Sequence, residues 1–212
     1  MIQILGLLLV VCIALSFVEC LGYRFKCEWK TVYIVLGCIL IAYAGFRPIG
    51  FDHDSTVYED VFYYYDKPRY ILMIEFSFRY ICQFIQWLGG SVRWVFVIYA
   101  IAGVTLKFCA IRRLSPFYFL PLVIYLGNYY IYHDLTQIRG GIASGILLLT
   151  VPMLANGEKA KCALLWAVSS CFHISSLLFF PMLWLNNKEL TRKGKYLLAS
   201  LVPIGYMIYF TH

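Results

Sequence analysis

Long apolar runs bounded by short basic clusters constrain this chain more than any other feature. Residues Ile2 to Val18 carry no charge and only Gln3 and Ser16 as polar side chains. Further runs follow at 31–46, 92–109, 117–131, 140–155, 162–185 and 196–210. Across the 212 residues, 62% are apolar and 14% charged, against about 45–50% and about a quarter in soluble domains. A water-soluble fold of this size cannot cover that surplus. A soluble enzyme, a secreted disulfide scaffold and a disordered chain are therefore excluded, and a bilayer is the solvent that fits. Spanning backbone must satisfy its own hydrogen bonds. Unbroken runs, rather than alternating segments of about ten residues, favour helices over a β-barrel. The expectation is an all-α, polytopic transmembrane helix bundle with about six to seven membrane segments. It would form a single integral membrane domain over residues 1–212.

A cleaved signal peptide needs a basic start and a small-residue cleavage site. No basic residue precedes Glu19, and Phe17-Val18-Glu19 is a poor site, so the first run reads as a retained helix. The net charge of +7 sits mostly in clusters between runs, where the positive-inside rule places it. No nucleic-acid partner is expected. Arg24, Lys26 and Lys30, then Lys107, Arg112 and Arg113, then Lys159 and Lys161 mark cytoplasmic connectors. Residues 47–91 and 132–139 then lie outside. The stretch 186–195 breaks the pattern, because it holds four basic residues yet falls outside if 162–185 crosses once. Either the rule is weakly violated, or 162–185 is a broken, re-entrant hairpin with His173 at its turn. Such backbone is tolerated only under cover of protein or a wet cavity. The eight cysteines are scattered, form no CxxC pair and read as small core hydrophobes.

The outer region at 47–91 holds six of the eleven acids: Asp52, Asp54, Glu59, Asp60, Asp66 and Glu75. In its second half, from Tyr70 to Leu88, the residues Glu75, Arg79, Gln83 and Gln86 fall on one helical face. That pattern predicts an interfacial amphipathic helix. Gly141 and Gly145 form a GxxxG pair, which permits close helix–helix approach.

Three groups can carry chemistry. In the first, Arg47 stands beside Pro48, before a turn at Gly50 and the residues Asp52, Asp54 and Tyr58. Arginine takes a phosphate bidentately, and the acids can orient sugar hydroxyls or act as a general base. A solvated loop is the alternative. In the second, Asp134, Gln137 and Arg139 flank a helix start, where free N–H groups favour anions. The alternative is an Asp cap with an interfacial arginine. In the third, His173 lies among Ser169, Ser170, Ser175 and Ser176. An ionisable residue inside an apolar run is a functional hypothesis, against a hydrogen-bonded core histidine. A haem pair of His133 and His173 is disfavoured, since no second histidine pair accompanies it.

The order of GFRPIGFDHDSTVYEDVF, IEFSFRYICQFIQWLGGS, DLTQIRGGIASGILLL and FHISSLLFFPML resembles the EpsG family. These are polytopic membrane proteins of bacterial exopolysaccharide loci, similar to Wzy-type O-antigen polymerases. The likeness falls on Arg47, Gly50, Asp52, Tyr58, Glu75, Gln137, Arg139 and His173. It implies a multi-pass protein of the bacterial inner membrane. The implied activity is a glycosyltransferase-type polymerase that joins undecaprenyl-diphosphate-linked repeat units at the outer face. Asp52, Asp54 or His173 would act as base, and Arg47, Tyr58, Glu75, Asp134, Gln137 and Arg139 would hold substrate. The leaving diphosphate builds negative charge that arginines can neutralise, in which case no metal and no cofactor is required; a metal held by the acidic outer loop is the alternative. The partners implied are the lipid-linked oligosaccharide, the bilayer and other polysaccharide assembly proteins. The alternative functions are a transporter or flippase-like binder, or a structural subunit of an export assembly, neither forming a bond. Because the chain stops inside an apolar run, it is expected to be a short or truncated member.

Overall fold

The computed structural model describes residues 2–22, 28–71 and 74–184, with scattered positions between 191 and 203. Among these the secondary structure is entirely helical. The helices are α1 (Ile2–Cys20), α2 (Glu28–Gly45), α3 (His53–Tyr64), α4 (Pro68–Ile71), α5 (Phe76–Trp87), α6 (Val92–Leu114), α7 (Phe119–Ile124), α8 (Ile138–Ala155) and α9 (Lys159–Ser170). Wide π-helical turns carry α7 on through Tyr125–Thr136, and a 3-10 arm covers Ile174–Trp184.

Among the described residues, three helices are long and apolar enough to cross a membrane: Gln3–Cys20, Val92–Leu114 and Ile138–Ala155. Trp29–Gly45 and Ile174–Trp184 are shorter apolar helices. The fourth expected run is the continuous helical stretch 119–136. Most of the expected last run at 196–210 lies outside the described residues, as do Arg24, Lys26, Lys188 and Lys193.

The third run departs from expectation. It was expected to end at Cys109 with Lys107 starting a basic connector. Instead α6 continues to Leu114, and Lys107 lies inside it, 1% exposed. Its 23 residues rise about 35 Å at 1.5 Å each, enough to cross the hydrocarbon core. Lys107 is thus not a flanking charge; Arg112 and Arg113 in the last turn are.

Helix α6 is the centre of the bundle, with α2 and α8 packed along it. The α2 contact runs antiparallel: Tyr33 donates its hydroxyl to the Phe108 carbonyl (2.9 Å), while Gly45 meets Val97. On the other side Gly145 of the GxxxG pair faces α6, while Gly141 faces the 125–136 segment at the His133 carbonyl and Asp134. A Cβ at Gly145 would lie 2.8 Å from the Leu106 Cβ, and one at Gly103 would lie 2.5 Å from Asp134 Oδ1. Only hydrogen fits at these crossings. At the end that carries Arg112, both Glu19 carboxylate oxygens accept backbone N–H groups, from Tyr118 (2.7 Å) and Phe119 (2.9 Å). These are unsatisfied donors at a helix start, so the carboxylate pins the end of α1 to α7.

Residues 47–91 are not a loose loop. Asp52 caps α3, its Oδ1 accepting from Ser55 N at 2.8 Å. Helix α3 buries Ser55, Tyr58, Val61 and Phe62, and α5 buries Phe78, Cys82 and Ile85. All of these but Ser55 cluster with Val92, Val95, Phe96 and Tyr99 of α6. The predicted amphipathic helix exists as α5, starting at Phe76, so Glu75 is its cap residue rather than part of its face. Beside the polar face, Phe76, Tyr80, Phe84 and Trp87 form an exposed aromatic strip, as on helices lying in a membrane interface.

The stretch 162–185 is broken at His173. Helix α9 ends at Ser170, residues 171–173 turn, and the 3-10 arm runs back. Ser169 and Ser176 share a hydrogen bond at 2.7 Å, Trp166 packs on Phe179 and Phe180, and Lys159 donates to the Leu183 carbonyl at 2.6 Å. The chain therefore returns to the end from which α9 began. The basic residues at 186–195 thus follow, in sequence, a chain reversal at 171–173.

Candidate functional site

The hairpin turn brings His173 to the cap of α5 and the start of α8. Glu75 joins all three. Its Oε2 pairs with Arg139 Nη1, and its Oε1 accepts from His173 Nδ1 (3.1 Å) and from the Ile174 backbone N–H (3.1 Å). The three residues are separated by up to 98 positions in sequence. Glu75 and Arg139 side chains are 11% and 22% exposed, and His173 is 33% exposed. The junction is enclosed but open on the histidine side.

Each partner is held by its element. Glu75 is in extended conformation at the cap of α5, which turns its side chain toward the neighbouring hairpin. Arg139 is in the first turn of α8, its guanidinium 5.6 Å from the Tyr58 ring centroid and 6.0 Å from that of Phe78. Burial pushes the Glu75 carboxyl up, but hydrogen bonds from His173 and the Ile174 amide, with the charge of Arg139, outweigh it and bring it down to about 2. Burial likewise raises the Tyr58 hydroxyl, against the lowering effect of Arg139. An ionised carboxylate can only accept. His173 Nδ1 is therefore the donor in its contact with Glu75.

The first sequence group meets this junction through Tyr58. Arg47 is 1% exposed, lies 4.2 Å over the Phe96 ring and donates Nη1 to the Ala44 carbonyl at 3.2 Å. Its Nε is 3.5 Å from Asp52 Oδ2, too far for a hydrogen bond of good geometry, and Arg47 Nε, Arg47 Nη2 and Asp52 Oδ2 are buried without partners. Burial lowers the Arg47 pKa, partly offset by Asp52. Asp54 and Arg47 both lie within electrostatic reach of the Tyr58 hydroxyl. Arg47, Asp52, Asp54, Tyr58, Glu75, Arg139 and His173 thus form one neighbourhood. Asp52 is already committed to capping α3 and facing Arg47. Gly50 takes φ +85 in the turn between them, which only glycine adopts readily.

Asp134 is elsewhere. Its Oδ1 meets Lys107 Nζ at 2.9 Å, its Oδ2 accepts from the Tyr125 hydroxyl at 2.7 Å, and Lys107 also donates to the Gly141 carbonyl at 2.7 Å. Both side chains of the pair are 1% exposed. Expected at the substrate, Asp134 is instead sealed between α6, the π-helical turns and α8, because a buried carboxylate needs its lone pairs met. Gln137 caps α8 with its side chain exposed. It borders a cleft of about 290 Å³ with Asn128, Tyr129, Tyr132 and His133. Gly140 separates this cleft from the junction, since a Cβ there would touch His133 Nδ1 (3.6 Å) on one side and His173 Cδ2 (3.8 Å) on the other.

Lys107 and His133 are the residues that sequence reasoning passed over. A lysine inside an apolar helical run is the available signal for the first, and the second stands next to Asp134 in the 132–141 motif. No group of three or more metal-ligand side chains occurs among the described residues.

The model of the EpsG family matches residues 30–212. No curated protein and no solved structure matches the chain.

Proposed function

The chain belongs to the EpsG family, a family tied to exopolysaccharide-related, polymerase-like function in membranes; from that premise we propose that it polymerises lipid-linked repeat units. The substrates are undecaprenyl-diphosphate oligosaccharides at the outer face of the inner membrane. One observation carries this reading. Glu75, Arg139 and His173, drawn from three separate elements, meet with a cation, an ionised carboxylate and an imidazole whose Nδ1 faces that carboxylate.

The chemistry follows from those groups. A sugar hydroxyl of one repeat unit attacks the anomeric carbon of another. The bond from that carbon to the diphosphate oxygen breaks, and the diphosphate leaves with the bonding electrons. His173 Nε2 takes the hydroxyl proton, and Glu75 holds the resulting imidazolium through Nδ1. Arg139, braced by Glu75 and Tyr58, stabilises charge as it builds on the diphosphate. Arg47 has two guanidinium nitrogens without partners and supplies further donors once the 48–52 turn yields. Asn128, Tyr129, Tyr132, His133 and Gln137 offer amides, rings and hydroxyls for the acceptor sugar beside the base.

The test uses full-length protein in nanodiscs with a radiolabelled lipid-linked repeat unit. His173→Gln retains hydrogen bonding but loses the base. Chain lengthening should fall by about a hundredfold or more, with inserted protein unchanged. Polymer retained in His173→Gln would leave that residue a packing or binding role. Label that changes leaflet without ever lengthening would favour the flippase-like reading.

A further inference from the structure

At the opposite end of the α2–α6 contact from Arg47, the two helices leave a groove of about 570 Å³, within the ~300–1,000 Å³ of ordinary ligand sites. Its walls are apolar, including Ile34, Ile41, Val104 and Phe108. Lys30, Arg112 and Arg113 also line it, and among the described residues no acid does. Arg112 is folded back onto the chain: its Nη1 donates to the carbonyls of Ser115, Pro116 and Phe117, and its guanidinium lies 3.7 Å over the Tyr118 ring. Lys30 and Arg113 are exposed, and neither enters an ion pair among the described residues.

We propose that this groove binds an anionic phospholipid, with an acyl chain between α2 and α6 and the phosphate between Lys30 and Arg113. The charge pattern selects the occupant. A long apolar slot with a basic rim at one end matches an amphiphile whose headgroup is negative. A free phosphate leaves the apolar wall uncovered, and a zwitterionic lipid leaves the two cations without net neutralisation. The folded-back Arg112 fixes the rim, so Lys30 and Arg113 are the side chains free to close on the headgroup. The site is separate from the Glu75 junction, and the proposal does not depend on the polymerase reading.

Two native thiols report on it. Cys38 and Cys109 line the groove and are exposed, while exposed Cys20 lies outside its lining. The full chain, purified in neutral detergent and stripped of lipid, is titrated with phosphatidylglycerol or phosphatidylcholine, and alkylation by a small maleimide is followed at each cysteine. Phosphatidylglycerol should slow Cys38 and Cys109 at lower concentration than phosphatidylcholine and leave Cys20 unaffected. The double variant Lys30→Gln, Arg113→Gln should raise the half-protecting concentration of phosphatidylglycerol by about thirtyfold, from the loss of two basic contacts. Both residues are exposed, so folding is not at stake, and Arg113→Lys should keep the preference. Equal protection by the two lipids overturns the proposal, as does a preference that survives in the double variant. Protection by glycerol phosphate alone would make it an anion site only. Stronger protection by undecaprenyl phosphate than by phosphatidylglycerol would reassign the groove to a polyprenyl carrier.

Discussion

Replacing Glu75 by Gln removes the charge at the junction while keeping its size. The carboxylate accepts on both oxygens, from Arg139 on one side and from His173 and the Ile174 amide on the other. An amide has only one acceptor atom, so one side must face donor against donor. The size of the effect follows from the acidity of the group. A carboxyl brought from 4.5 down to about 2 gains about 3 kcal/mol of folded-state stability at neutral pH, at 1.36 kcal/mol per unit. Because the folded pKa is depressed, that contribution is complete above pH ~4.5, roughly halved near pH ~3 and mostly gone by pH ~2. For a chain of this size, 3 kcal/mol corresponds to about 6–12 °C in Tm. The assay is thermal unfolding in detergent, followed by tryptophan fluorescence, for both proteins from pH 7 to pH 3. Glu75→Gln should unfold at least several degrees below the parent at pH 7, and the gap should narrow as pH falls toward 3. A gap under about 2 °C at pH 7, or one that does not narrow in acid, would refute the junction as the place where Glu75 is held.

Other substitutions probe the same frame. Arg139→Lys keeps the charge but loses the planar fork; polymer made from lipid-linked repeat units should fall nearly as far as in Arg139→Ala, and near-normal yield would remove Arg139 from the diphosphate. Lys107→Met leaves Asp134 buried and unpaired and should cost about 3–5 kcal/mol, read as lost Tm and poor insertion. Adding Asp134→Leu to Lys107→Met should restore much of that loss, since a matched apolar pair need not be worse than the ion pair. Gly141→Ala would place a methyl group against the His133 carbonyl oxygen and Asp134; it should cost roughly 1–3 kcal/mol of overpacking strain or more and lower polymer through α8, whereas Gly127→Ala, which meets nothing within 4 Å, should leave both stability and polymer unchanged.

Local pattern carried much of this. The apolar runs dictated helices and a lipid environment, because period and composition act on neighbouring residues and need no partner. The GxxxG pair announced a close crossing for the same reason: a missing side chain has the same consequence against any helix. Four basic residues at 186–195 left two readings open, a hairpin at His173 or one crossing that violates the charge rule, since charge placement bears only on the side a segment ends on. Residue types also limited the chemistry to arginines, carboxylates and a histidine. Which of them meet was decided only by the tertiary structure. Asp134 and Arg139 are five positions apart in one motif, yet the first seals the bundle with Lys107 and the second joins Glu75. Lys107 looked like the end of a span because a lysine in lipid is costly; its partner, 27 residues away, makes it affordable inside. The Glu75–His173 contact spans 98 residues. It exists because the broken hairpin and the cap of α5 reach the same level on the bundle, and no periodicity in the chain encodes a coincidence of two separate elements.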